Sequence, residues 1–70
     1  MADKYKSNDD EIVEAFQLGV EPSPKWFTHI YEHLIDANTF HGYYIVKSAL
    51  YDIPMVFTER TFKQQYEPIL

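Results

Sequence analysis

The clearest pattern in the chain is an apolar stripe at helical spacing that follows a proline-rich break at residues 21–24. Ser23 is a preferred N-cap residue, and Pro24 would take the first helical position, where a missing N–H costs nothing. The pattern therefore predicts an amphipathic helix over residues 24–36. The stripe consists of Trp26, Phe27, Ile30, Tyr31 and Leu34.

Two β-prone segments follow this helix. Residues 43–50 open with two tyrosines, isoleucine and valine, which are typical of strands. Residues 53–58 are expected to form the return strand of an antiparallel hairpin. Pro54 cannot donate a hydrogen bond to a neighbouring strand, so it confines this return strand to a sheet edge or a bulge.

The C-terminal part of the chain carries Phe62 and Tyr66 four residues apart, which predicts a short helical turn over residues 59–66. Residues 1–8 are polar and lack periodicity, so we expect them to form a flexible arm.

Residues 9–19 permit two interpretations. As a helix, the segment has acidic residues in its first turn and Gly19 just past its end. As a strand, it alternates poorly, because Glu14 interrupts the face shared by Ile12 and Phe16. Both interpretations stay open on the sequence alone.

These elements predict a small α+β domain over residues 9–70, preceded by the arm. One amphipathic helix would pack on an antiparallel sheet of two to four short strands.

Composition limits what such a domain can hold. The chain has 70 residues, no cysteine and twelve aromatic residues. Disulfides are thus excluded, and a chain of this length buries only about 60% of the surface that it exposes when unfolded. The rings are expected to supply the core, with a surplus near the surface. No apolar run approaches the roughly 18 residues of a membrane span, and the first ten residues do not resemble a signal peptide.

The charge is unevenly distributed. The net charge is -5, and residues 1–36 carry eight acidic and three basic residues, whereas the remainder is balanced. Direct nucleic-acid binding requires a basic stripe, which the sequence lacks. An acidic half instead favours a partner protein with a basic surface.

Candidate chemistry is sparse. His29 and His33 lie one helical turn apart and could share a zinc ion, with Glu32 as a base, but no third ligand follows at a recognisable spacing. No serine has a nucleophile context and no glycine-rich loop is present. We therefore expect neither enzymatic activity nor a cofactor, and metal binding remains a minor alternative.

Four stretches resemble a family of small uncharacterised bacteriophage and prophage proteins. Residues 14–17, Glu-Ala-Phe-Gln, resemble its opening strand, and Pro24-x-Trp26-Phe27 resembles the start of its helix. Residues 42–47, Gly-Tyr-Tyr-Ile-Val-Lys, resemble its Gly-Asp-Tyr-Ile-Ile-Lys-Gly strand, and residues 62–67 resemble its closing Phe-x-x-x-Tyr-Glu. Tyr43 and Ser48 depart from this pattern, and the hairpin lacks the usual Asn-Gly. The resemblance implies a phage accessory protein and no catalytic residue.

The resulting hypothesis is a non-enzymatic phage-type protein that binds and inhibits or modulates a host protein in the bacterial cytoplasm. The target would be a defence nuclease, such as a CRISPR or restriction component, or the transcription or replication machinery. The alternative is a self-associating accessory module that dimerises through the edge of the predicted hairpin. The predicted partner-binding residues are Asp9, Asp10, Glu11, Glu14, Glu21, Trp26, Tyr43 and Tyr51.

Overall fold

The structure is a computed structural model, and it describes residues 3–28, 32–47 and 53–69. Its elements in chain order are β1 (Lys4–Ser7), β2 (Ile12–Gln17), α1 (Lys25–Thr28), β3 (Tyr44–Lys47), β4 (Met55–Phe57), α2 (Glu59–Gln65) and β5 (Tyr66–Pro68).

All strands belong to one five-stranded antiparallel sheet in the order β4-β3-β2-β1-β5. The predicted fold, one amphipathic helix on two to four strands, is therefore wrong: the described chain is mainly sheet, with two short helices. The prediction missed β1 and β5, which are four and three residues long. Such short strands show too little alternation to be recognised.

The β1–β2 hairpin replaces part of the predicted N-terminal arm. Lys4–Ser7 form β1, and Tyr5 is buried in the core. The backbone N–H of Ser7 donates to the Glu11 carbonyl at 2.8 Å, and Asp10 completes the loop with a positive φ of 64°. This arrangement corresponds to a short hairpin loop with one left-handed residue.

Residues 12–17 form a strand, which settles the ambiguous segment. β2 is the central strand and is covered on both faces: Val13 and Ala15 are buried on one side and Phe16 on the other. Burial on both faces explains why apolar and polar residues alternate poorly along β2, because such a strand carries apolar residues on both sides. Glu14 lies on the second side, where the sheet is open to solvent.

One side of the sheet, the helix face, carries Val13, Tyr44 and Val46 and is covered by α2. Phe62 of α2 stacks on the Tyr44 ring at a centroid distance of 4.1 Å. Thr58 is the N-cap of this helix, and its side-chain oxygen accepts a hydrogen bond from the Thr61 N–H. The predicted helical turn over residues 59–66 is thus confirmed as α2.

The other side, the loop face, carries Phe16 and Ile45 and is covered by the long β2–β3 connection. Phe27 of α1 is buried against these residues, and Ile35 and Phe40 pack on the same cluster. We call this covering segment the loop layer.

The predicted helix over residues 24–36 is wrong in extent. Helix α1 ends at Thr28, residues 29–31 lie outside the described ranges, and Leu34 is 69% exposed in a turn. The Asp36 carboxylate accepts hydrogen bonds from the Asn38 N–H and the Thr39 hydroxyl, which holds its pKa below the usual value. Such local bonds compete with helical ones and turn the chain back towards the sheet.

The predicted hairpin over residues 43–50 and 53–58 is present as β3 and β4, although both strands are shorter in the described ranges. Pro54 precedes β4, which is an edge strand. No helix among the described residues is long and apolar enough to cross a membrane.

Candidate functional site

An open cleft of about 300 Å³ lies at the edge of β2 where β1 begins and β2 approaches its end, and residues from both sides of the sheet line it. We call it the acidic cleft, because three carboxylates line it together with the indole ring of Trp26. Its lining residues are Asp3, Glu14, Ala15, Phe16, Glu21, Pro22, Ser23, Pro24 and Trp26.

Strand register brings Asp3 and Glu14 to the cleft. The Asp3 carbonyl accepts a hydrogen bond from the Ala15 N–H at 3.1 Å, which sets residue 3 beside residue 15. Glu14 pairs with Lys4 on one side and Lys47 on the other. Both carboxylate residues are exposed.

Glu21 is fixed by hydrogen bonds to the end of β2. Its side-chain Oε1 accepts from the Gln17 N–H at 2.8 Å, and its own N–H donates to the Gln17 carbonyl at 2.9 Å. The carboxylate therefore occupies the edge of β2 beyond the point where β1 pairs with it. This contact holds a half-buried carboxylate in place on the cleft wall.

Trp26 is positioned by the rings beneath it. Its ring centroid lies 5.8 Å from that of Phe16 and 6.3 Å from that of Phe27, both in edge-to-face geometry. The Lys47 Nζ lies 5.9 Å from the indole centroid, within the range of a cation–π interaction. A half-buried indole beside carboxylates is therefore suited to contact a cationic group.

The structure brings together three of the eight predicted partner-binding residues, namely Glu14, Glu21 and Trp26. Tyr43 lies apart from the cleft, with its ring 5.2 Å from that of Phe40. Tyr51 lies outside the described residues.

The other three predicted residues, Asp9, Asp10 and Glu11, form the tip of the β1–β2 hairpin. The hairpin tip is the opposite end of β2 from Gln17 and is exposed. Asp10 pairs with Lys6 at 3.1 Å. These acids therefore form a surface separate from the cleft.

Sequence reasoning missed Asp3. The available signal was the Asn8-Asp9-Asp10 run, which favours a tight turn. A hairpin closed by that turn would have placed residue 3 opposite residue 15.

A second groove of about 310 Å³ lies between the hairpin and the end of α2. Its lining combines lysines with acids, among them Lys6, Lys63, Asp10 and Glu67. This mixture gives the groove no preference for one sign of charge.

The zinc hypothesis gains no site within the described ranges, where no group of three or more metal-ligating side chains occurs. His33 is exposed, and His29 lies outside those ranges.

Comparisons of the chain with models of protein families, with curated proteins and with solved structures find no match. The binding chemistry of the acidic cleft is therefore inferred from its lining residues alone. The acidic residues and the indole ring that line this cleft provide hydrogen-bond acceptors, negative charge and an aromatic face, which together suit a lysine or arginine side chain.

Proposed function

We propose that this chain is a non-enzymatic binding protein whose acidic cleft engages a basic segment of a partner protein. The observation that carries the proposal is that Asp3, Glu14 and Glu21 line one open cleft together with Trp26. The net charge of -5 adds a long-range attraction for basic partners, which raises the rate of encounter.

The cleft is suited to specific binding because part of it is ordered before the partner arrives. The Gln17 N–H holds Glu21, and Phe16 and Phe27 support the indole. Groups that are already fixed lose little conformational entropy on binding. A half-buried tryptophan flanked by acids also fits the usual character of an interface anchor.

The partner in this proposal is a bacterial host protein, and the setting is the host cytoplasm. The resemblance of residues 42–47 and 62–67 to phage proteins supports a phage-type accessory role. A protein that handles nucleic acid presents a basic groove, so occupying that groove with an acidic surface would inhibit or modulate it. Defence nucleases of the CRISPR or restriction type and transcription or replication proteins present such grooves.

The test compares two charge-matched triple variants. One neutralises the cleft with Asp3→Asn, Glu14→Gln and Glu21→Gln. The other neutralises the hairpin tip with Asp9→Asn, Asp10→Asn and Glu11→Gln. Each removes three negative charges, so the two variants have the same net charge and differ only in where it was removed.

A partner is first captured from bacterial lysate and purified, and its affinity for each variant is then measured by calorimetry at several salt concentrations. Exposed ion pairs contribute roughly 0.2–1 kcal/mol each, so we expect the cleft variant to bind about tenfold more weakly. The tip variant should stay within about threefold of the unmodified chain. An equal loss of affinity in both variants would show that net charge alone explains binding and would contradict a contact specific to the cleft. The absence of any partner at low salt would also contradict the proposal.

A further inference from the structure

Within the described ranges, the loop layer leaves part of the loop face uncovered. This bare face spans β5, β1 and the first half of β2, and two isoleucines are exposed on it: Ile12 at 63% and Ile69 at 39%. The Ile69 N–H donates to the Lys4 carbonyl at 2.9 Å, so Ile69 continues the register of β5. The bare face consists of Lys4, Lys6, Ile12, Glu14, Glu67 and Ile69.

Charges of opposite sign alternate across the strands of the bare face. Lys4 stands opposite Glu14, and Lys6 stands opposite Glu67. Over residues 3–28, 32–47 and 53–69, ion pairs join Lys6 to Asp10 and Lys63 to Glu59, so Lys4, Glu14 and Glu67 take part in none. These charges are therefore available to a partner.

We propose that the bare face binds a second copy of this chain. The two-fold axis lies between the two copies, parallel to the strands and above the line that separates β1 from β2. Rotation about this axis places β2 of one copy over β1 of the other. Glu14 then faces Lys4 of the second copy, and the same pair forms again by symmetry. Ile12 meets the aliphatic stem of the second copy's Lys6, which can cover apolar surface.

The self-complementary pattern of charges on the bare face indicates that its partner is a second copy of the chain. A uniformly basic partner would meet Lys4 and Lys6, and a uniformly acidic one would meet Glu14 and Glu67. The two-fold axis pairs acid with base twice, as an isologous interface requires. The same axis lays β5 of each copy beside the β2–β3 side of the other copy, where the loop layer covers Phe16 and Ile45, so the contact is centred on β1 and the first half of β2.

The expected dimer is weak. Strands are spaced about 4.8 Å apart, so the bare face measures on the order of 300 Å², whereas a stable interface buries about 800 Å² per partner. Association should therefore become visible only at high protein concentration.

The test is sedimentation equilibrium of the purified chain alone, from about 10 μM to about 1 mM. Because no partner protein is present, the result is independent of the proposed function. The variants are Ile12→Lys, Glu14→Lys, Lys4→Glu and the double exchange of Lys4→Glu with Glu14→Lys. Leu34→Lys is the matched control, since Leu34 is 69% exposed outside the bare face. Circular dichroism verifies that each variant is folded.

We expect the average mass of the unmodified chain and of Leu34→Lys to rise towards twice that of the monomer. Each single variant on the bare face should remain monomeric, because it sets like charges against each other across the interface. The double exchange should restore association. A monomer at about 1 mM, equal loss in Leu34→Lys, or failure of the double exchange to restore association would each overturn the proposal.

Discussion

Asp10 adopts a left-handed backbone conformation, with φ at 64°, in the tip of the β1–β2 hairpin. A residue with a Cβ pays roughly 1–2 kcal/mol in this region, and aspartate reduces that cost through local hydrogen bonds. Glycine adopts this conformation freely.

The comparison of Asp10→Gly with Asp10→Ala isolates this backbone effect. Both variants lose the ion pair with Lys6, so its contribution cancels. We expect the glycine variant to have a free energy of unfolding about 1 kcal/mol larger than that of the alanine variant. Urea denaturation measures the difference, and equal stabilities would contradict the role of the backbone at this position.

At the residue scale, the sequence indicated which side chains could serve a binding site but not which of them meet. Glu14, Glu21 and Trp26 were predicted from residue type and charge, and they line the same cleft. Asp9 and Asp10 were predicted on the same grounds and lie at the other end of the sheet. Convergence depends on strand register, which is set by a turn and by tertiary pairing rather than by residue type.

At the scale of elements, local sequence signals predicted the correct helix or strand where tertiary packing favours the same structure. Helix α2 and the β3–β4 hairpin were predicted from spacing and β propensity. The helix over residues 24–36 failed, although its cap and apolar stripe were favourable. Phe27 is buried without a longer helix, because the loop layer turns back and packs Phe27 and Ile35 on the sheet, whereas Leu34 of the same stripe is left exposed.

The N-cap of α2 offers a prediction for a single element. The Thr58 hydroxyl oxygen accepts from the Thr61 N–H at 3.3 Å. Replacing a capping threonine by alanine typically costs about 1 kcal/mol, so Thr58→Ala should lower the free energy of unfolding by about that amount. Thr58→Ser, which keeps the hydroxyl, should retain most of the stability. A serine variant as unstable as the alanine variant would contradict the capping contact.

At the scale of the whole molecule, the described core has two clusters, and the one on the helix face contains more buried residues. Phe62 is 1% exposed and stacks on Tyr44 and Tyr66, with Tyr5 edge-on at 4.8 Å. The opposite cluster under the loop layer is separate from it, since the sheet lies between the two.

Truncation of Phe62 tests how far the fold depends on this cluster. A domain of this length has a stability of roughly 4–10 kcal/mol, and Phe→Ala in a core costs about 3–5 kcal/mol. We expect Phe62→Ala to lose most of its resistance to urea. The half-buried Phe40 gives the control, because Phe40→Ala removes an equal ring from the other cluster and should cost less. A greater loss of stability in Phe40→Ala would mean that the fold depends more on the cluster under the loop layer than on the cluster on the helix face.

The same cluster makes stability depend on alkaline pH. Burial raises the pKa of Tyr5, Tyr44 and Tyr66 above the usual phenol value of about 10. Below that pH, both the folded and the unfolded chain keep these protons, so the three groups impose no pH dependence. Above it, the unfolded chain releases protons that the folded chain retains, and the free energy of unfolding falls as pH rises towards the raised pKa values.

The variant carrying Tyr5→Phe, Tyr44→Phe and Tyr66→Phe keeps the rings and removes the titrating hydroxyls. Urea midpoints from about pH 8 to pH 11 should therefore decline less steeply for this variant than for the unmodified chain. Identical slopes for the two proteins would mean that the alkaline loss of stability does not come from the buried phenols.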